Sequence, residues 1–316
     1  MKKIELSWIL FLLLIMTFFL YYKEDIIDVI NDKISINEVI DNKNIDNYNK
    51  ESIVSYSNNS KIIEDNKDYI TGSEYSFDSE YYVYYSYLSL EGKKIYKQVY
   101  ANALVYNKTF KTVTKISTNE LSDVMEALFN DHPELFYLDT NYSYKYNSRA
   151  MVIEISLNYN DTVYNINYNK ELFNKEIDKI VLEAEKLPNN YEKEKYVYMY
   201  LINKVEYDTN AKYNQSAYSA LVEGKSVCAG YARAFQLVMQ RLNIPTYYVL
   251  GYAKEDHAWN IVKLDGIYYN VDLTWDDTGG VFKHFNITDE ELSSTHKRNG
   301  ISTRLPRCVY KNYNMG

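Results

Sequence analysis

The dipeptide Asp265-Gly266 constrains this chain more than any other feature. It separates two strand-like runs, His257–Leu264 and Ile267–Thr274. Asp-Gly between two such runs marks a tight two-residue hairpin. A turn of that length sets the register. Leu264 faces Ile267, Val262 faces Tyr269, Trp259 faces Asp272 and His257 faces Thr274. His257 and Asp272 become diagonal neighbours on one face, about 7–8 Å apart along the sheet, a gap two side chains can bridge. The carboxylate can accept an imidazole N–H, fix the tautomer and stabilise the cation. The opposite face carries Ala258, Asn260, Val262, Leu264, Ile267, Tyr269, Val271 and Leu273, a largely apolar set suited to a core. Asn260 therefore points away from His257 and reads as a buried amide bonding backbone, which leaves Asp272 as the partner of the imidazole. Trp259 shares the face of His257 and either shields the pair or fills space.

The segment before the hairpin supplies a third group. Tyr247–Tyr252 reads as another strand, with Lys254-Glu255-Asp256 as a polar turn. Further upstream, Gly224 marks a turn and Ser226 is an N-cap candidate. Helical spacing then runs through Val227, Tyr231, Phe235, Val238 and Leu242 until Pro245. Cys228 falls in the first helical turn, where unpaired backbone N–H groups and the helix dipole favour an anion. Sites of this kind favour a thiolate, and the same N–H groups can hold an oxyanion. A buried structural Cys fits the position equally well on its own. A His and an Asp on one hairpin face, preceded by a Cys at a helix start, tip the reading to catalysis. Cys308 is then a lone thiol, read as a small half-buried residue.

The N-terminus begins Met1-Lys2-Lys3 and continues in an apolar run from Leu6 to Tyr22. As a helix this run spans roughly 25 Å, slightly short of a bilayer core. No small residues mark a cleavage site. Tyr21, Tyr22 and Lys23 suit the interface, and Lys2-Lys3 suits the cytoplasmic side. The expectation is an uncleaved single-pass membrane anchor over 1–22 with the remainder extracellular, the alternative being secretion after cleavage. Residues 23–78 read as a polar, partly disordered spacer with a short helix at 24–40. Residues 79–165 read as an accessory α+β region. Its elements are a helix Ser89–Leu104, a strand Thr109–Ile116, a helix capped by Ser117 or Thr118 and ended by Pro133, and strands Leu135–Leu138 and Met151–Tyr159. Residues 166–290 form the catalytic domain, opening with helices Lys170–Lys186 and Tyr191–Val205, and 291–316 a C-terminal tail.

Composition narrows the partners. The net charge is −8, and no run of Lys or Arg exceeds a pair, so nucleic acid is not expected. His132, His284 and His296 have no metal-ligand spacing with another His or Cys, and Asp276-Asp277 lacks a calcium loop and reads as a capped turn before Gly279-Gly280. No metal or cofactor is expected. The 36 Tyr supply much of the 46% hydrophobic fraction, and their hydroxyls favour half-buried sheets and wet clefts.

Three ordered segments resemble the bacterial branch of the transglutaminase-like superfamily. They are Gly224-Lys225-Ser226-Val227-Cys228-Ala229-Gly230-Tyr231-Ala232, His257-Ala258-Trp259-Asn260, and Tyr268-Tyr269-Asn270-Val271-Asp272-Leu273-Thr274-Trp275-Asp276-Asp277. The stretch Asp131-His132-Pro133-Glu134-Leu135-Phe136 is similar to the accessory region of bacterial members. The resemblance implies a papain-like α+β fold, with a Cys-bearing helix packed on an antiparallel sheet. It implies thiolate attack on a carboxamide to give a thioester, with Cys228 as nucleophile, His257 as general base and acid, and Asp272 as orienting partner. Animal members use a Trp upstream of the Cys as an oxyanion donor. No Trp stands between Trp8 and Trp259, and Tyr207 can take that part through its hydroxyl.

The expected activity is acyl transfer or amide hydrolysis on cell-envelope protein or peptidoglycan peptide. A plain cysteine peptidase and a non-catalytic surface binding module are the alternatives.

Overall fold

The computed structural model describes residues 37–41, 70–279, 282–311 and 313. The apolar run Leu6–Tyr22 and most of the spacer lie outside these residues. Within the spacer, β1 (Asn37–Asp41) is a strand, in place of the end of the helix expected over 24–40. Among the described residues, no helix is long and apolar enough to cross a membrane.

The accessory region follows its sequence pattern closely. After α1 (Val83–Ser86), α2 (Leu90–Leu104) starts where the Ser89 hydroxyl accepts a bond from the Gly92 N–H. It buries Ile95, Tyr96, Val99 and Ala103, one face at helical spacing. β2 (Thr109–Ser117) runs straight into α3 (Thr118–Asp131), which Ser117 caps by accepting from Glu120 N–H. β3 (Leu138–Tyr146) and β4 (Met151–Tyr159) complete an antiparallel sheet of order β1-β3-β4-β2. The short strand expected at Leu135–Leu138 is not formed. Around Pro133 the chain turns, with the Leu135 and Leu138 N–H groups donating locally to His132 and Leu135, so pairing begins only at Leu138.

α4 (Ile166–Ala184) and α5 (Asn190–Lys204) come next, the second capped by Asn189. β5 (Glu206–Tyr207) pairs in parallel with β6 (Lys225–Ser226), and α6 (Cys228–Arg241) follows at once. β7 (Thr246–Tyr252), β8 (Asp256–Leu264) and β9 (Ile267–Val271) form a second antiparallel sheet. Beyond α7 (Leu273–Gly279) and α8 (Asp289–Leu292), the two-residue β10 (Lys297–Arg298) joins its edge, giving the order β10-β7-β8-β9. α6 packs on β7 and β8. The result is the α+β arrangement expected: a Cys-bearing helix on an antiparallel sheet.

One hydrophobic core runs through both sheets, from Val83 to Cys308. Polar contacts tie the two parts further. Tyr84 hydroxyl donates to the Tyr248 carbonyl at 2.5 Å, and Gln236 Nε2 donates to the Asn130 carbonyl at 2.9 Å. Residues after 290, read from sequence as a tail, supply β10 and buried side chains including His296, Ile301 and Leu305.

Candidate active site

The hairpin has the register expected at its turn end. Leu264 pairs with Ile267 and Val262 with Tyr269. Asp265 and Gly266 both lie in the left-handed region, at φ 49° and 82°, as a type I′ turn requires. The ladder stops at Asn260–Val271. Trp259–Asp272 and His257–Thr274 are therefore not ladder pairs, because the chain leaves the sheet to begin α7. Asp272 drives that departure. Its Oδ1 accepts the N–H groups of Thr274 and Trp275 at 3.1 and 3.2 Å, and the Thr274 hydroxyl at 2.8 Å, as an N-cap does. Its Oδ2 still reaches His257, where it lies 2.7 Å from Nε2. Asn260 turns away, and its Nδ2 donates to the Ala232 and Tyr247 carbonyls at 3.0 and 3.3 Å.

Cys228 opens α6. The cap is Val227, with extended backbone, and not Ser226. The Ser226 hydroxyl instead donates to the Asn214 carbonyl, which also accepts the Val227 N–H at 3.0 Å. These bonds pin the 214–216 loop against the first turn of α6. Gly230 permits the approach, since a Cβ there would fall 1.8 Å from Ser226 Oγ and 2.8 Å from the Asn214 and Ser216 carbonyls. The Cys228 thiol is part-exposed and interacts with the His257 imidazole. With Nε2 held by Asp272, Nδ1 is the ring nitrogen left for it. Cys228 and Ala229 occupy the first two helical positions, whose N–H groups have no intrahelical partner. Both line a crevice of about 150 Å³ together with Tyr207, Thr209, Asn214, Gln215 and Asp256.

Electrostatics bind the three residues into one unit. Burial alone would lower the His257 pKa. The charge and hydrogen bond of Asp272, with help from Cys228, outweigh it and raise the imidazole to about 10. For Asp272 burial is again the largest single influence and pushes upward. Bonds and charges from His257 and His296 overcome it and hold the carboxyl well below the usual range. The imidazole is thus held as a cation and the carboxyl as an anion.

His296 is a member that sequence reasoning missed. Its Nε2 lies 2.9 Å from the same Asp272 Oδ2, and its Nδ1 lies 2.7 Å from the Thr295 hydroxyl. The ring is buried, with centroids of Trp275 and Trp259 at 4.6 and 5.2 Å. It comes from the segment read as a tail, where no periodicity or spacing marked it. His257, Asp272 and His296 offer ligand atoms within 4.8 Å of one another, a spacing the sequence did not reveal. In this arrangement hydrogen bonds among the three occupy those atoms.

The supporting residues divide. Trp259 is buried and stacks beside His257, centroids 6.1 Å apart and planes 19° apart, while its Nε1 donates to Asn270 Oδ1 at 3.2 Å. It both fills space and walls the imidazole. Tyr207 stands at the rim of the Cys228 crevice, 38% exposed. Asp276 does not form the expected turn cap. It is buried within α7, accepts the Tyr198 hydroxyl, and gathers the N–H groups of Lys283 and His284. Asp277 accepts from the Tyr231 hydroxyl at 2.7 Å. Cys308 is fully buried, beyond the half-burial expected, and burial with Asp289 nearby pushes its thiol pKa well up.

Residues 179–273 match the family model described as the transglutaminase-like superfamily. The chain carries a transglutaminase-like domain. Two solved structures are also similar to part of the chain. One, described as a TGase, is 17% identical over 52% of this chain and 50% of its own length, with a TM-score of 0.31. The other, from Cytophaga hutchinsonii and described provisionally as a cysteine protease, is 21% identical over 43% of this chain and 54% of its own, with a TM-score of 0.30. The chain thus spans about half the length of each. No curated protein matches it. The matched segment of the transglutaminase-like domain ends one residue after Asp272 and so contains Cys228, His257 and Asp272 but not His296.

Proposed function

We propose that this protein is a cysteine acyltransferase or amide hydrolase that works through a thioester. The observation that carries this reading is the sulfur of Cys228, at a helix start, beside an imidazole whose Nε2 sits 2.7 Å from a buried carboxylate. In the first half-reaction the Cys228 sulfur, its proton passed to His257, attacks a carboxamide carbon. The N–H groups of Cys228 and Ala229, with Tyr207 at the rim, face the developing oxyanion. His257 gives its proton to the departing amine, leaving a thioester on sulfur. In the second, His257 takes a proton from an incoming amine or water, which attacks the thioester and releases the sulfur. Asp272 keeps the imidazole oriented and stabilises its cation in both. Amine entry gives an isopeptide crosslink, and water gives deamidation or peptide cleavage.

The substrate we assign is cell-envelope protein or peptidoglycan peptide, met outside the cell by a domain tethered through residues 1–22. The apolar Leu6–Tyr22 run behind Lys2-Lys3 supports the tether. The part-exposed thiol at a narrow crevice of about 150 Å³ supports entry of a single carboxamide side chain of a peptide. A plain cysteine peptidase is the second reading, and the same crevice favours it equally.

The test is incorporation of a labelled primary amine into envelope extracts by the full chain, wild type against Cys228→Ala. Incorporation lost in the mutant supports transfer, and ammonia or peptide release without incorporation supports hydrolysis. Neither product from the wild type would leave only a binding role for the fold.

A further inference from the structure

A second cleft, of about 480 Å³, lies beside the Cys228 crevice, and Asn214 and Gln215 line both. It runs between the accessory region, at Leu138–Asn141 and Asn160, and the 210–216 loop. Its wall includes Arg233, five residues beyond Cys228 on α6 and only 7% exposed. The guanidinium stacks over Tyr248 at 4.5 Å, and NH1 donates to the Gln215 carbonyl at 2.5 Å. Among the described residues no carboxylate lies within ion-pair distance of it. An arginine side chain has five N–H donors, and none of this one's nitrogens is both buried and unsatisfied, so its free donors face the cleft. Asp139, in the same cleft, does not neutralise it. The Asp139 carboxyl is raised by burial and by Asp161. Lys212, also in the cleft, is already paired with Asp161 at 2.5 Å. An unpaired guanidinium lining a cleft is a ready partner for an anion.

We infer that the Arg233 cleft is a subsite for a carboxylate group on the peptide presented to Cys228. The guanidinium fork suits a carboxylate in two-point contact. Its bond to Gln215 links an occupied subsite to the wall of the reactive crevice. This inference rests on the thiol-dependent reading for its geometry, but binding is separable from turnover.

Calorimetry on the full-length Cys228→Ala chain in detergent, with acetyl-Gln-Gly-Gly bearing either a free C-terminal carboxylate or a carboxamide, tests it. The carboxylate form should bind about 10-fold or more tightly, less so at high salt. Arg233→Met should remove the difference, and Arg233→Lys should keep part of it. Equal binding of the two peptides, no binding of either, or a preference that survives Arg233→Met overturns the subsite. Should Arg233→Met fail to fold, the charge comparison in the parent and Arg233→Lys decides. Binding intact with neither amine incorporation nor ammonia or peptide release by the wild type would sink the catalytic reading and leave the subsite standing. Turnover intact with equal binding would do the reverse.

Discussion

His257 and His296 place their Nε2 atoms on one and the same oxygen, Oδ2 of Asp272, at 2.7 and 2.9 Å. The carboxylate is therefore held by two imidazoles on one oxygen and three donors on the other. His296 reaches the site through this shared atom and through the His257 ring, whose centroid lies 5.4 Å from its own, so it is a positioning residue.

Replacing it tests that role. His296→Phe fills the same volume between Trp259 and Trp275 but removes the donor, and His296→Gln keeps an amide N–H of similar reach. A hydrogen bond to a charged group is worth about 1.5–3 kcal/mol, or roughly 10- to 100-fold. We expect kcat to fall by that order in His296→Phe, with KM little changed, and to recover largely in His296→Gln. A Gln variant as impaired as Phe would reduce His296 to packing.

Asp272→Asn removes the charge while keeping an acceptor for the α7 N–H groups. The fold should survive, and activity should drop by about 10³- to 10⁴-fold through loss of the imidazolium's partner. The pH dependence of stability should change too. The His257 pKa is raised from the unfolded value, so its contribution is complete below about 6.5 and is lost as pH rises through about 10. The Asp272 pKa is lowered, so its contribution is present above about 3.9 and fades as pH falls further. Thermal melts from pH 3 to pH 11 should show both losses in wild type and neither in Asp272→Asn.

Iodoacetamide distinguishes the two thiols. Cys228 is part-exposed and interacts with His257, while Cys308 is fully buried with its thiol pKa pushed up. Near neutral pH the folded protein should be alkylated at Cys228 at least about 10-fold faster. Equal slow labelling by peptide mass mapping would count against an activated nucleophile.

Gly230→Ala tests the packing that seats Cys228. The new methyl meets two carbonyls and a hydroxyl at contact distances no carbon tolerates. Overpacking of this kind costs about 1–3 kcal/mol. The 214–216 loop should move off α6, lowering the melting temperature and the Cys228 alkylation rate together. An unchanged alkylation rate would separate the loop from the site.

Glu194 is buried on α5, accepts from Asn286 Nδ2 at 2.8 Å, and is raised by burial to about 8. The folded state keeps a proton that the unfolded chain gives up near pH 4.3, so stability falls as pH rises from there to about 8. Glu194→Gln retains an acceptor for Asn286 and removes the titration. Its melting temperature should exceed wild type at pH 8 and match it at pH 4, as paired calorimetric scans would show.

Much of this site was legible in the sequence because its strongest constraints are local. Asp265-Gly266 set the hairpin register, and alternation then assigned faces over Asn260–Leu264 without any distant contact. Helical spacing placed Cys228 in a first turn, although Ser226 was read as the cap. Its hydroxyl goes to Asn214, a partner the linear pattern does not reveal. The accessory helices and β4 followed from caps and periodicity for the same reason.

By itself, then, the sequence determined the three candidate side chains, their order, and the turn that brings two of them together, since each depends on neighbours within a few residues. Only the tertiary structure decided that Asp272 leaves the sheet to cap α7, that His296 closes on the same oxygen, and that Arg233 lines a second cleft without a counter-ion. These depend on segments far apart along the chain meeting in a shared core, and no local period or propensity encodes such a meeting.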